Sequence, residues 1–170
     1  MMNLEQLIAT GQRSNRGRWW MNVVLRRVIP FNRPHRLEVL SITDEEVKVL
    51  LPYRRNNLNH LKGLHACGMA TAAEYCSGLL LLHRLGAKNY RLIMKSLHME
   101  YFYQGKTDAV ATFKMTAAEM EQQIIAPLKT QDAVLIPLEI KLEDKDGNHL
   151  CTGTANWQLK PWDKVRTKVK

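Results

Sequence analysis

Acidic residues are missing from the whole stretch between Gln6 and Leu37, while Arg13, Arg16, Arg18, Arg26, Arg27, Arg33 and Arg36 accumulate there around Trp19, Trp20 and Phe31. With no local carboxylate to neutralise them, these guanidinium groups form an arm that attracts anions: nucleic acid, anionic lipid, or the phosphates of a nucleotide-like molecule. Nucleic acid is not the expected partner; an anionic membrane surface is kept open beside the plainer alternative of a helix that docks by Trp, Val and Leu and solvates its arginines. Cysteine is scarce too. Cys67, Cys76 and Cys151 are odd in number, which argues against a disulfide-stapled secreted domain and suits reduced thiols and a cytoplasmic location. The N-terminus lacks a basic segment followed by an apolar stretch and a small-residue cleavage site, so no signal peptide is expected. A clean membrane span is also lacking. His65–Leu85 approaches the length of one, but Glu74 sits midway along it with Thr71, Tyr75 and Ser77. A charge at that depth costs about 2.5–3.5 kcal/mol, so a helix in a protein core is the better assignment.

What is present points to one globular domain: 170 residues, 45% hydrophobic and 24% charged, with a formal net charge of +9. That length suits one well-buried core rather than two. We divide it into a basic helical arm over 1–36, a core over 37–160, and a basic tail over 161–170 carrying Lys164, Arg166, Lys168 and Lys170. Pro30 and Pro34 end the arm. Leu37–Thr43 and Val47–Leu51 read as strands around an Asp44-Glu45 turn, Arg54–Gly63 as a polar loop, and the long helix runs to Leu85 with Gly86 as its C-cap. Strand-like segments follow at Tyr90–Tyr103, Ala109–Thr116, Ala133–Glu143 and His149–Leu159. The last two are joined around Asp146-Gly147, a strong hairpin signal. Ala117–Leu128 is a short helix closed by Pro127. The expected class is α+β, an antiparallel sheet wrapped around one hydrophobic helix.

Within that helix Glu74 is the residue to explain, because a helix apolar on every side is normally buried and a buried carboxylate is either paired or chemically employed. A polar cluster opens the helix: Asn59, His60, Gly63, His65, Ala66 and Cys67. Each has a plainer role available. Glu74 can pair with an Arg or Tyr, Asn59 can brace a loop, and His65 can orient the helix entry. Cys67 beside His65 also has the composition of a thiol nucleophile, since a helix N-terminus lowers thiol pKa. His60, His65 and Cys67 lack the second ligand pair of a zinc site, so no metal is expected.

The run from Asn59 to Cys67 followed by Glu74 resembles the active-site signature of hotdog-fold acyl-CoA thioesterases of the phenylacetyl-CoA and 4-hydroxybenzoyl-CoA type. Those enzymes carry an Asn or Gln six residues before a His-Gly pair and an Asp or Glu nine residues after the His. Further stretches, Val28-Ile29-Pro30-Phe31-Asn32, Pro52–His60 and Met99-Glu100-Tyr101, resemble a hotdog subfamily catalogued as a domain of unknown function. The resemblance implies a hotdog fold and hydrolysis of a fatty or aromatic acyl-CoA. In it, Glu74 is nucleophile or general base, Asn59 holds the carbonyl or the attacking water, and the Ala66 and Cys67 amides at the His65 step form the oxyanion site. Gly63, Ser77 and Lys106 are the expected substrate or coenzyme A contacts, and no separate cofactor is implied. Ala66 and Cys67 stand where the family has glycines, and Gly78 where the 4-hydroxybenzoyl type has a hydroxyl, with Ser77 next to it. Nine helical residues span about 13.5 Å, so His65 and Glu74 of one chain cannot serve the same atom. The resemblance therefore implies a homodimer or tetramer with antiparallel helices. The alternatives are an acyl-CoA or lipid-thioester binding protein of the same fold, and a surface-binding module acting through the Arg/Trp-rich arm.

Overall fold

The structure, a computed structural model, describes residues 3–166. Helix α1 (Leu4–Arg13) is opened by a capping box between Asn3 and Gln6, and α2 (Asn15–Val28) by the Ser14 hydroxyl, which accepts from the Gly17 amide. These caps satisfy amides that a helix start leaves unpaired. The two helices pack on each other and, through Leu7, Ile8, Met21 and Leu25, on the core. Asn22 fixes the join: its side chain accepts from Val39 N at 2.7 Å and donates to Val39 O at 3.1 Å. The apolar half of the arm is thus spent on docking.

Six strands make one antiparallel sheet: β1 (Glu38–Ile42), β2 (Glu46–Leu51), β3 (Tyr90–Tyr101), β4 (Ala109–Lys114), β5 (Val134–Asp144) and β6 (His149–Pro161), in the order β1-β2-β4-β5-β6-β3. Along β5 buried and exposed residues alternate without a break, as a sheet with one wet face requires. Helix α3 (Ala66–Leu85) lies in the other face and packs on β2 through β6. Its Leu79, Leu80 and Leu81 are all buried, which explains why its sequence is apolar on every side. This is the hotdog fold.

Two elements differ in detail from the sequence expectation. Strand β3 stops at Tyr101, because the Phe102 and Tyr103 amides both turn to the one carbonyl of Leu150. Pro127 does not close the helix before it; the segment runs from α4 (Ala117–Met120) through a π turn at Glu121–Ile125 into α5 (Ala126–Leu128). The wider π turn removes the clash between the proline ring and the preceding turn. Of the basic tail, Trp162 is tied down by bonds to Asn89 O and Ala87 O, and 167–170 lie outside the described residues.

Candidate active site

The loop before α3 is built on Asn57, which sequence reasoning passed over. Asn57 is buried, and its amide group donates to His35 O and Pro52 O while its oxygen meets His35 Nδ1 at 3.0 Å. Its own carbonyl receives the His65 amide at 2.7 Å, which sets where α3 begins. Asn59 does bracing work as well: its side-chain oxygen accepts from Leu61 N at 2.9 Å and Gly63 N at 3.0 Å. Only the amide nitrogen of Asn59 is left to face a substrate. Gly63 is covered by the Gln104 side chain, whose Cγ would lie 2.7 Å from an added Cβ.

At the first turn of α3 the backbone amides are unequally employed. Those of Gly68 and Met69 return to His65 O, and that of Cys67 donates to His65 Nδ1 at 3.1 Å. Among the described residues the Ala66 N–H has no partner. Of the two donors expected there, Ala66 is free and Cys67 is occupied by the histidine side chain. That bond also uses the Nδ1 lone pair of His65, so this nitrogen is not available to take a proton from the Cys67 thiol. The Ala66 carbonyl is held by the Tyr101 hydroxyl at 3.0 Å.

An open groove of about 320 Å³ lies in front of this turn, lined by Asn59, Ala66, Met69, Tyr101, Phe102 and Gln104 among others. Its aromatic wall was signalled in the sequence only by Met99-Glu100-Tyr101. Lys106 is not part of the groove; it borders a neighbouring concavity together with Asp144 and Asp146, whose charges oppose a role in holding phosphate.

Glu74 lies two turns further along α3, about 12 Å from Ala66 by helical rise, and does not reach the groove of its own chain. With Cys67 and Thr71 it lies on a partly open stripe of the helix. Burial without a compensating charge raises its carboxyl pKa above the ordinary range. Among the described residues its carboxylate has no ion-pair or hydrogen-bond partner, so the pairing with Arg or Tyr weighed from sequence is not made there. An unpaired, half-buried carboxylate with a raised pKa fits a general base or nucleophile.

Ser77 corrects the sequence expectation. It is fully buried, donates to the carbonyls of Ala73 and Glu74, and accepts from Trp157 Nε1 at 3.0 Å. It holds an indole and touches no open space. Gly78 explains the exchange: an added Cβ there would sit 3.0 Å from Trp157 Cζ2, so the ring occupies the volume that a side chain at 78 would need. The other two thiols are core groups; burial pushes Cys151 up to about 12 and Cys76 higher still, with the Cys76 thiol directed at Val47 O. Among the described residues no group of three His, Cys, Asp or Glu side chains gathers as a metal site, and no helix is long and apolar enough to cross a membrane.

The domain of unknown function DUF4442 matches residues 17–159, which takes in most of the arm helix α2, the groove, α3, strands β1 to β5 and most of β6. The chain belongs to the DUF4442 family. No curated protein matches this DUF4442 chain, but solved structures share its fold. A Pseudomonas aeruginosa protein of unknown function described as a probable thioesterase superposes with a TM-score of 0.76 at 21% identity, covering 82% of this chain and 93% of its own. A thioesterase from Haemophilus influenzae superposes with a TM-score of 0.63 at 9% identity, covering 95% and 92%. A mutant form of a thioesterase enzyme from Staphylococcus aureus gives 0.63 at 10%, covering 78% and 99%. At such identities the likeness of the DUF4442 chain to these proteins is one of fold.

Proposed function

We propose that the protein hydrolyses the thioester of a fatty or aromatic acyl-CoA at a site shared between two copies. The observation that carries this reading is the division of labour along α3. At one end the unpartnered amide belongs to Ala66, a residue that lines an open groove, and an unpartnered carboxylate at Glu74 stands too far away to serve the same atom. Two helices packed antiparallel would bring Glu74 of one copy to the groove of the other. The free edge of the sheet supports such a pairing. Among the described residues strand β3 has no neighbour on its outer side, and the core-facing Leu92, Met94, Leu97 and Met99 are only partly buried. An unpaired edge of 12 residues is a template for another strand.

The chemistry follows from the groups. The thioester carbonyl sits against the Ala66 N–H at the positive end of α3, where negative charge developing on oxygen is stabilised. The amide nitrogen of Asn59 gives a second donor at the same wall. Glu74 of the other copy takes the proton of an attacking water, or attacks directly to give an anhydride that water then opens; either way the coenzyme A thiolate leaves. Apolar Met69, Met99 and Leu97 suit an acyl chain, and methionines adapt to several shapes.

A second reading is favoured by the occupied Cys67 amide. With one free donor instead of two, the first turn can hold a thioester carbonyl without stabilising its oxyanion strongly, as in an acyl-CoA binding protein. The test is a panel of acyl-CoAs of varied chain length with free thiol followed, beside a Glu74→Gln variant. Turnover abolished in the variant supports hydrolysis. Tight binding of the panel with no turnover by the parent chain would move the assignment to binding.

A further inference from the structure

Helix α2 spends one face on the core and turns a second face outward. Buried Met21, Asn22 and Leu25 define the inner side. At 100° per residue, Arg16, Trp19, Trp20, Val23, Arg26 and Arg27 all fall on the other. Two large apolar rings on the wet side of a helix invert the usual pattern. Trp19 is 62% exposed and Trp20 47%, with ring centroids 6.5 Å apart, and Phe31, in the turn that follows, is 66% exposed.

The C-terminal end of this face leads into a concavity of about 300 Å³ lined by Val23 and four arginines, Arg26, Arg27, Arg33 and Arg36. Two come from α2 and two from the turn after it. Arg36 takes its place in a left-handed backbone conformation, φ 51°, which a residue with a Cβ rarely adopts. Among the described residues every ion pair is made by Lys or His, and none by these arginines. Four guanidinium groups around one hollow repel each other and call for an anion with several acceptor oxygens, the need a phosphate meets.

We propose that the outward face of α2 and its arginine hollow dock the protein on an anionic phospholipid surface, with Trp19 and Trp20 at the headgroup level and the arginines on lipid phosphates. Aromatic rings beside cationic groups on one helix face are the composition of an interfacial helix. A second copy is the poorer occupant, because it would bring four more arginines against these. The face is also free of the proposed pairing: α2 packs on β1, the opposite edge of the sheet from β3. Docking there places a protein that handles acyl chains where acyl lipids are concentrated.

The experiment is co-sedimentation of the full chain with vesicles of phosphatidylcholine alone and of phosphatidylcholine mixed with phosphatidylglycerol, with tryptophan emission followed. Binding to the mixed vesicles only is expected, with a blue shift absent from Trp19→Ala/Trp20→Ala. Binding should fade as salt shortens the Debye length from about 10 Å at 0.1 M to about 3 Å at 1 M. Arg33→Gln/Arg36→Gln should bind about 25-fold more weakly, at about fivefold per basic residue, and Arg33→Lys/Arg36→Lys should stay within a few-fold of the parent, which separates lost charge from a damaged turn. No binding to the mixed vesicles, equal binding to both kinds, or arginine-dependent binding of single-stranded DNA or free coenzyme A in place of vesicles would each overturn the proposal.

Discussion

The hydroxyl of Tyr101, the last residue of β3, donates to the carbonyl of Ala66, the first residue of α3, at 3.0 Å. This bond ties the edge strand of the sheet to the helix start whose first amide is unpartnered among the described residues, across 35 residues of sequence. Tyr101→Phe keeps the ring and removes the tie. It should cost about 0.5–1.5 kcal/mol in urea unfolding, and an unchanged midpoint would show that the bond does not hold the turn.

The Ala66 amide can be removed without disturbing the helix. Ala66 is the first helical position and His65 has an extended backbone, φ −72°, ψ 136°, the two conditions under which proline is accepted. Ala66→Pro should fold with near-parental stability and lose about 100- to 1,000-fold in kcat on an acyl-CoA that the parent chain hydrolyses. A fully active variant would exclude this amide as the oxyanion donor.

Ser77 and Trp157 meet in the core through one hydrogen bond at 3.0 Å. Ser77→Ala strands a buried indole N–H and should destabilise the protein by about 1–3 kcal/mol. In a double-mutant cycle with Trp157→Phe, which removes the donor, the two losses should be less than additive. Additive losses would mean that the bond contributes nothing.

Burial holds the Glu74 carboxyl pKa above its value in the unfolded chain. Between those two values the native state keeps a proton that the unfolded chain has released, so stability falls as pH rises through the window. Glu74→Gln removes that dependence. The variant should melt at a higher temperature than the parent chain at pH 7, and the two should converge as pH drops below the ordinary glutamate value. A difference that does not change with pH would contradict the burial account.

The strand order was not legible in the sequence, but the strands themselves were. Val47–Leu51 and Ala109–Thr116 alternate cleanly because one face of the sheet is wet, and Asp146-Gly147 marks its hairpin because Gly147 needs φ 81°. Glu74 stood out because a lone charge in an apolar helix is conspicuous at the level of composition. What stayed hidden depends on contacts between distant residues. Ser77 lies 80 positions from Trp157, so a hydroxyl beside the candidate carboxylate could not be told from one bonded to an indole. Asn57 and Asn59 are alike in a polar loop; only the fold makes the first the anchor of the helix start and spends the oxygen of the second on its own turn. The arginine-rich arm was legible as charge, but the separation of its docked face from its exposed tryptophans required the position of Asn22 against β1.

The shared site is the claim on which the functional account depends, and mixing two inactive chains tests it most directly. Glu74→Gln and Ala66→Pro subunits, unfolded together and refolded in equal amounts, form half of their dimers as mixed pairs. In each mixed pair one site receives both defects and the other receives none. Thiol release from an acyl-CoA should return to about a quarter of the parental rate, while each variant refolded alone stays inactive. No recovery from a mixture proven to contain mixed dimers would contradict a site built from two chains.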